Sequence, residues 1–139
     1  MKKKIIYLAG PLFTHAELEF NLKLRDMLVE KDFEVFLPQE DSADKKEEHD
    51  RQNQAYIFQR CVMGIDKSDL VVAVLDGVDV DSGTAWEIGY AYAKGKPVIG
   101  LRTDFRELSN GTVNLMIEVA VKALARTEKE FMEVMEEFR

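Results

Sequence analysis

Short, uninterrupted apolar runs alternate with longer amphipathic segments along this chain. One such run is Leu70-Val71-Val72-Ala73-Val74, and residues 5–9 and 97–101 have a similar character. A strand that is apolar at nearly every position is covered on both faces, as in a parallel sheet flanked by helices. The alternation therefore predicts an α/β fold built around a parallel sheet.

Right-handed crossovers and a single switch point favour a doubly wound sheet with the flavodoxin-like strand order 2-1-3-4-5. The chain has 139 residues, which is long enough for one domain with a core and too short for two. We therefore predict a single domain over residues 1–139.

The predicted strands lie at residues 5–9, 33–37, 70–75, 97–101 and 119–124, although a helix fits the last segment nearly as well. The predicted helices lie at residues 16–31, in a segment around Tyr56 that closes near Lys67, and at residues 82–95, 112–118 and 127–135. Residues 40–51 are almost entirely polar and predict a solvated loop or a frayed helix start. Residues 102–111 are predicted to form a loop.

The composition limits the classes of partner. The formal net charge is −7 and the isoelectric point is about 4.9. This charge argues against nucleic acid or an anionic membrane as partner, since either needs a basic face. No apolar run approaches the length of a membrane span. We expect a cytoplasmic protein that acts on small molecules.

Metal and cofactor signals are also missing from the sequence. Cys61 is the single cysteine, which excludes an internal disulfide and fits a reducing compartment. His15 and His49 are too isolated to form a zinc site with it. There is no G-x-G-x-x-G and no P-loop motif, so nothing specific supports phosphate anchoring. We therefore predict no metal and no cofactor.

The segment from Asp81 to Ala91, Asp-Ser-Gly-Thr-Ala-Trp-Glu-Ile-Gly-Tyr-Ala, carries the strongest functional signal. It places two carboxylates, Asp81 and Glu87, around a turn containing Gly83 at the carboxyl end of a buried strand. Ligands of open α/β sheets bind at that edge, and a carboxylate pair is the basic requirement for cleaving a glycosidic bond. A structural alternative is equally weighted at this point: Thr84 and Glu87 have the spacing of a helix capping box.

Loops that follow the first, third and fourth predicted strands meet at this edge of the sheet. They bring Gly10 and Phe13 close to Asp76 and Glu87, with Tyr7 at the end of the first strand. Such a pocket suits a flat, neutral, hydrogen-bonding ligand such as a nucleobase with its sugar. Asp76-Gly77 and Asp81 can also be read as plain turn residues.

Four motifs resemble the nucleoside 2-deoxyribosyltransferase family over nearly the whole chain. They are Tyr-Leu-Ala-Gly-Pro-Leu-Phe at residues 7–13, the segment at residues 81–91, Gly-Lys-Pro-Val at residues 95–98, and Asn-Leu-Met at residues 114–116. The resemblance implies a retaining transfer of deoxyribose between nucleobases, with a role in purine or pyrimidine salvage. It implies that Glu87 attacks C1′ of a 2′-deoxynucleoside and that Asp81 manages the proton of the leaving base.

The resemblance also implies binding roles and a homo-oligomer. Asn114, with Met116 nearby, would reach a neighbouring active site and bind the sugar 5′-hydroxyl, which favours nucleosides over nucleoside monophosphates. Several family members have an aspartate where this chain has Cys61, so one base-side carboxylate is missing here. The predicted substrate-binding residues are Tyr7, Gly10, Phe13, Gln39, Asp76, Gly83, Asn114 and Met116.

Three functions are compatible with this pattern. The first is base exchange through an ester on Glu87. The second is a deoxynucleoside or deoxynucleotide N-glycosidase, in which water takes the sugar from the same intermediate. The third is a non-enzymatic module that binds a nucleoside or nucleotide, with Glu87 acting only as a cap.

Overall fold

The computed structural model describes residues 2–42, 51–107 and 112–139. Five parallel strands form one sheet in the order β2-β1-β3-β4-β5, as predicted. The strands are β1 (Ile5–Ala9), β2 (Glu34–Phe36), β3 (Leu70–Val74), β4 (Val98–Leu101) and β5 (Ala123–Ala125). The helices are α1 (His15–Glu30), α2 (Pro38–Asp41), α3 (Arg51–Lys67), α4 (Ser82–Ala93), α5 (Leu115–Ala120) and α6 (Glu128–Glu136).

The sheet separates two apolar cores. Helices α1 and α6 cover one face through residues such as Leu24, Leu28 and Phe131, while α3, α4 and α5 cover the other through Ile65, Ile88 and Ile117. All five residues of β3 are buried, because this central strand contacts helices on both faces. This arrangement explains the continuous apolar runs in the sequence.

Helix ends follow local side-chain chemistry. Thr14 caps α1, with Glu17 completing a capping box, and Thr127 caps α6 by accepting from the Glu130 backbone amide at 3.1 Å. Gly95 follows α4 with a φ of 74°, a conformation that glycine adopts without strain. The sequence Thr127-Glu128-Lys129-Glu130 predicts a capping box, but only its Thr127 half is observed, because the Glu130 carboxylate accepts from the Arg126 amide instead.

Several predicted boundaries are wrong, among them the start of α5, which is Leu115 rather than residue 112. The fifth strand begins at Ala123 rather than Val119, because α5 continues to Ala120. The segment predicted to be a solvated loop or a frayed helix start begins with Glu40 and Asp41, which belong to the short helix α2, whose first residue is a proline suited to a helix start. Strand β2 is only three residues long. Of the predicted charged segment, residues 43–50 lie outside the described residues, as do residues 108–111 of the predicted second loop.

Among the described residues, no helix is long and apolar enough to cross a membrane. Within the same ranges, no three His, Cys, Asp or Glu side chains are grouped so that they could hold a metal ion.

Candidate active site

Glu87 lies in the second turn of α4, and its side chain points toward the sheet. Its carboxylate accepts a hydrogen bond from the hydroxyl of Tyr7, which is fully buried on β1. The first turn of α4 is capped by Asp81 instead. The capping interpretation of Glu87 is therefore wrong, because helix α4 begins three residues earlier than a Thr84 cap requires.

Burial changes the acid–base properties of this pair. The pKa of Glu87 is raised to about 7: burial is the largest cause, the Tyr7 hydrogen bond opposes it, and the nearby Asp81 carboxylate adds to the rise. Burial also raises the pKa of Tyr7 far above its ordinary value, with Glu87 contributing to the rise. Tyr7 therefore stays protonated and acts as a hydrogen-bond donor to the carboxylate.

Asp81 is the N-cap of α4 and is partly buried. Its Oδ2 accepts from the backbone amide and the hydroxyl of Thr84, both at 3.0 Å. Gly83 keeps this turn open, since a Cβ there would lie 3.3 Å from Asp81 Oδ2. Asp81 and Glu87 thus belong to the same helix end, one at its start and one in its second turn.

Cys61 on α3 forms part of the wall beside Tyr7 and Glu87. Burial raises the pKa of the Cys61 thiol, so it is neutral at pH 7. Phe36 of β2 stacks on Tyr7, with ring centroids 5.4 Å apart and planes at 16°. Gly64 of α3 makes room for that ring: a Cβ at this position would lie 3.0 Å from it.

Gln39 lies on α2 and is tied to α1. Its Oε1 accepts from Asn21 Nδ2 at 3.0 Å, and its Nε2 donates to the Leu18 carbonyl at 3.0 Å. Asn21 is buried and also donates to the carbonyl of Pro11 in the loop after β1. Gln39 therefore helps to connect α1, α2 and that loop.

Gly10 and Phe13 lie in the same loop after β1. A Cβ at Gly10 would lie 3.0 Å from Cβ of Val74 on β3, so the glycine allows these two segments to approach closely. Phe13 is 72% exposed. Its ring is free to contact a molecule held at this edge of the sheet.

The structure places Asp76 in a network between two loops rather than beside Glu87. Its Oδ1 accepts from the backbone amides of Thr103 and Asp104 at 2.7 and 2.9 Å, and its Oδ2 accepts from the Thr103 hydroxyl at 2.6 Å. Asp76 also lines a cavity of about 340 Å³ on the α1 side of the sheet, together with Pro11, Asn21 and Arg106.

Asn114 and Met116 lie on α5, on a different surface from the Tyr7–Glu87 pair. Asn114 caps α5 by accepting from the Met116 amide at 2.8 Å. Both line a largely apolar groove of about 570 Å³ between α4 and α5. Leu115, Met116 and Val119 expose 68%, 72% and 80% of their surface there. Within one chain, the structure does not bring Asn114 into contact with Glu87.

Several residues that shape the site had no signal in the sequence. Phe36 and Gly64 were apolar positions of a strand and a helix, and Asn21 was one polar residue in an amphipathic segment. Arg102 was a loop residue, yet it is fully buried. Their roles depend on contacts between segments that are far apart in sequence, and local patterns do not report such contacts.

Comparisons with known proteins identify a family. A profile of the nucleoside 2-deoxyribosyltransferase family matches residues 6–135. Comparison with curated proteins gives no significant match.

Solved structures provide three further similarities. A conserved protein from Enterococcus faecalis V583 is 31% identical, with a TM-score of 0.84 over 99% of this chain and 100% of the other. A 2-deoxyribosyltransferase from Bacillus psychrosaccharolyticus is 28% identical, with a TM-score of 0.80 over 91% and 89%. The Clostridium botulinum CMP N-glycosidase BcmB is 25% identical, with a TM-score of 0.61 over 96% and 99%. The family profile spans almost the whole chain, and the protein belongs to the nucleoside 2-deoxyribosyltransferase family.

Proposed function

We propose that this protein transfers a 2-deoxyribosyl group between nucleobases through an ester on Glu87. The observation that carries the proposal is the contact between Glu87 and the buried Tyr7 hydroxyl. A helix glutamate without a functional role is normally exposed or paired with a cation. Glu87 is instead held by a neutral donor in a site that raises its pKa to about 7.

In the first step, the Glu87 carboxylate attacks C1′ of a 2′-deoxynucleoside. An oxygen–C1′ bond forms as the glycosidic C1′–N bond breaks, and the departing base takes a proton from Asp81. In the second step, a nitrogen of the incoming base attacks C1′, the ester breaks, and the proton returns to Asp81. Two inversions at C1′ give net retention.

The residues around Glu87 suit these steps. Tyr7 fixes one carboxylate oxygen by hydrogen bonding, so the other oxygen is presented to the sugar. The negative charge of Asp81 raises the pKa of Glu87, so the two carboxyl groups lie close enough to interact. Attack requires Glu87 as the carboxylate, and departure of the base requires a proton, which Asp81 delivers in this proposal.

Neutral side chains surround the base side of the site in this proposal. Cys61 is an uncharged thiol, Phe36 backs Tyr7, and Phe13 lies exposed on the loop after β1. A flat nucleobase would stack on such aromatic surfaces. Gln39, Gly10 and Gly83 would shape the approach to this space.

We also propose that the site is completed by a second copy of the chain. Asn114 and Met116 are exposed at the start of α5, beside an apolar groove that neither Tyr7 nor Glu87 of the same chain lines. A two-fold contact across α4 and α5 would cover the groove and carry Asn114 to the partner's site. The Asn114 amide would then bind the sugar 5′-hydroxyl.

A base-exchange assay tests the proposal. The protein is incubated with a 2′-deoxynucleoside and a different free base, and the new nucleoside is separated by chromatography. Glu87→Ala should lose activity by several orders of magnitude while keeping its fold. Glu133→Gln is the matched control, since Glu133 is an exposed glutamate on α6 behind the sheet. Exchange that survives in Glu87→Ala would exclude the ester.

Hydrolysis is the second candidate, because the CMP N-glycosidase is among the similar structures. Both reactions use the same ester, and water competes with the second base for it. The assay is repeated without an acceptor base. Base release that is fast without an acceptor and unchanged by its addition identifies a glycosidase, whereas release that needs the acceptor identifies a transferase.

A further inference from the structure

Arg102, at the end of β4, is buried with a fully desolvated guanidinium. Its Nη1 donates to the carbonyls of Leu75 and Gly77 at 2.5 and 3.0 Å, and its Nη2 donates to the Arg106 carbonyl at 2.7 Å. Its Nε is buried without a hydrogen-bond partner among the described residues. Burying a cation against neutral carbonyls is costly, so its presence calls for a role.

Asp76, in the loop after β3, accepts hydrogen bonds from the loop after β4 in the opposite direction. Asp76 accepts from the amides of Thr103 and Asp104 and from the Thr103 hydroxyl. Asp104 in turn accepts from the Gly77 amide at 3.2 Å, and Arg106 pairs with Asp104. We call Arg102, Asp76, Thr103 and Asp104 the cross-loop latch, because their bonds run in both directions between the two loops.

The cross-loop latch anchors the chain at Gly77, four residues before Asp81. Gly77 has a φ of 126°, so the chain turns sharply there, and a Cβ would lie 3.0 Å from the Asp79 carbonyl. Both the amide and the carbonyl of Gly77 are bonded to the opposite loop. Four residues later, Asp81 begins α4 and holds the Thr84 amide.

We infer that the cross-loop latch is a positioning device for Asp81, the proposed proton donor to the leaving base, and that Asp76 acts through it rather than by binding substrate. This inference rests on the proposed function. Displacing a catalytic group by about 1 Å costs on the order of 100-fold in rate. A loop anchored on both sides prevents that displacement, whereas Glu87, in the second turn of α4, has its own anchor in Tyr7.

The leaving base provides a selective test. A neutral base such as adenine needs a proton to depart, but the base of 7-methyl-2′-deoxyguanosine is already cationic and leaves without one. Asp76→Ala removes the acceptor for Thr103 and Asp104. It should lower kcat/KM for 2′-deoxyadenosine, which reports the step in which the first base departs, by about 100-fold and lower kcat/KM for the cationic substrate far less. Asp76→Asn keeps an acceptor for the two amides and should restore most of the loss.

Two further measurements complete the test: a control variant and a hydrogen-exchange experiment. Asp66→Asn removes a carboxylate that accepts from the Tyr90 hydroxyl at the end of α3, away from both loops, and should leave both rates unchanged. Hydrogen exchange of the segment at residues 76–87, followed by mass spectrometry, should be faster in Asp76→Ala than in the wild type. This readout needs no substrate.

Equal losses on the neutral and cationic substrates, or unchanged exchange over residues 76–87, would overturn the inference. Failure of the wild type to act on either substrate would contradict the proposed function instead. In that case hydrogen exchange alone still decides whether the latch holds the start of α4.

Discussion

The pair formed by Tyr7 and Glu87 is the most informative contact at the residue scale. A fully buried phenol on a central strand would leave its hydroxyl without water, and the Glu87 carboxylate satisfies that donor. The same burial raises the pKa of Glu87 to about 7. The charge on Glu87 therefore costs stability that the fold recovers elsewhere, as is common at reactive sites.

Replacing Glu87 by glutamine should stabilise the protein at alkaline pH. The pKa of Glu87 in the folded state lies above its ordinary value of 4.5. The protonated Glu87 side chain therefore makes its full contribution to stability below about pH 4.5, and this contribution is lost as the pH rises through about 7. Glu87→Gln keeps an acceptor for Tyr7 and removes the charge, so the free energy of unfolding at pH 8 should rise by about 2 kcal/mol, with little change at pH 5.

Urea denaturation of both proteins at the two pH values measures this difference. An equal effect of the substitution at pH 5 and pH 8 would show that Glu87 is not a destabilised carboxyl group in the folded protein.

Removing the Tyr7 hydroxyl should shift the acid limb of the pH profile of kcat/KM to higher pH. The hydrogen bond from Tyr7 stabilises the carboxylate and lowers the pKa of Glu87, so Tyr7→Phe should raise that pKa further. The nucleophile is then ionised only at higher pH, and kcat/KM at pH 6 should fall about tenfold for each pKa unit of the rise. A pH profile of kcat/KM measures it. A limb that stays in place or moves to lower pH would contradict the role given to Tyr7.

At the scale of elements, the site depends on how closely α3 approaches β2. Gly64 allows Phe36 to lie between α3 and the Tyr7 ring, and Tyr7 then reaches Glu87. This chain of contacts joins two helices and two strands, α3, β2, β1 and α4, that are distant in sequence. Its order follows from the 2-1-3-4-5 sheet, which places β2 next to β1.

Adding a methyl group at Gly64 should disturb this contact chain. Gly64→Ala places a Cβ about 3 Å from the Phe36 ring, and overpacking of this kind costs about 1–3 kcal/mol. The matched comparison is a double-mutant cycle with Phe36→Leu, whose smaller side chain should recover part of the loss. Denaturation midpoints of the four proteins give the coupling energy. Additive effects in the cycle would show that the two residues do not press on each other.

The sequence patterns predicted elements better than contacts. The strand order followed from alternation and handedness, because parallel crossovers leave few alternatives. The fifth strand was placed four residues too early, because residues 119–124 are apolar except at Lys122 and so suit a helix end as well as a strand. The pairing of Asp76 with Thr103 spans 27 residues and looked like an isolated turn signal, so the latch could not be predicted.

In the candidate site, too, local motifs predicted some features, whereas others depend on packing between distant segments. Motifs around Asp81 and Glu87 predicted their location, and the structure excludes the capping alternative for Glu87. Spacing could not reveal that Tyr7 donates to Glu87 or that Gln39 is bonded to Asn21. Both contacts are set by how helices pack on the sheet.

At the scale of the whole molecule, the exposed apolar residues are unevenly distributed. Leu115, Met116 and Val119 project from the six-residue helix α5 beside the groove against α4. A contiguous exposed apolar surface of this kind is typical of an interaction site. The same face carries Asn114, so a second copy seated there would both cover the groove and complete a site.

Mixing two inactive variants tests this arrangement. Glu87→Ala chains retain Asn114, and Asn114→Ala chains retain Glu87. In a two-fold pair of the two variants, one site has both residues intact and the other has neither. After unfolding and refolding together in equal amounts, the mixture should regain about a quarter of wild-type activity, because half of the pairs are mixed and each has one working site.

The control is each variant refolded alone, which should stay inactive. A mixture no more active than its components would show that Asn114 does not serve a neighbouring site.

Mass spectrometry tests the ester on Glu87 directly. The protein is mixed with a 2′-deoxynucleoside and no acceptor base, and the reaction is then quenched rapidly with acid. An ester on Glu87 predicts an added mass of one deoxyribosyl group on the peptide that contains Glu87, disappearance of that mass when a free base is added before quenching, and no adduct in Glu87→Gln. An adduct on another residue, or base exchange with no adduct at any time of quenching, would contradict it.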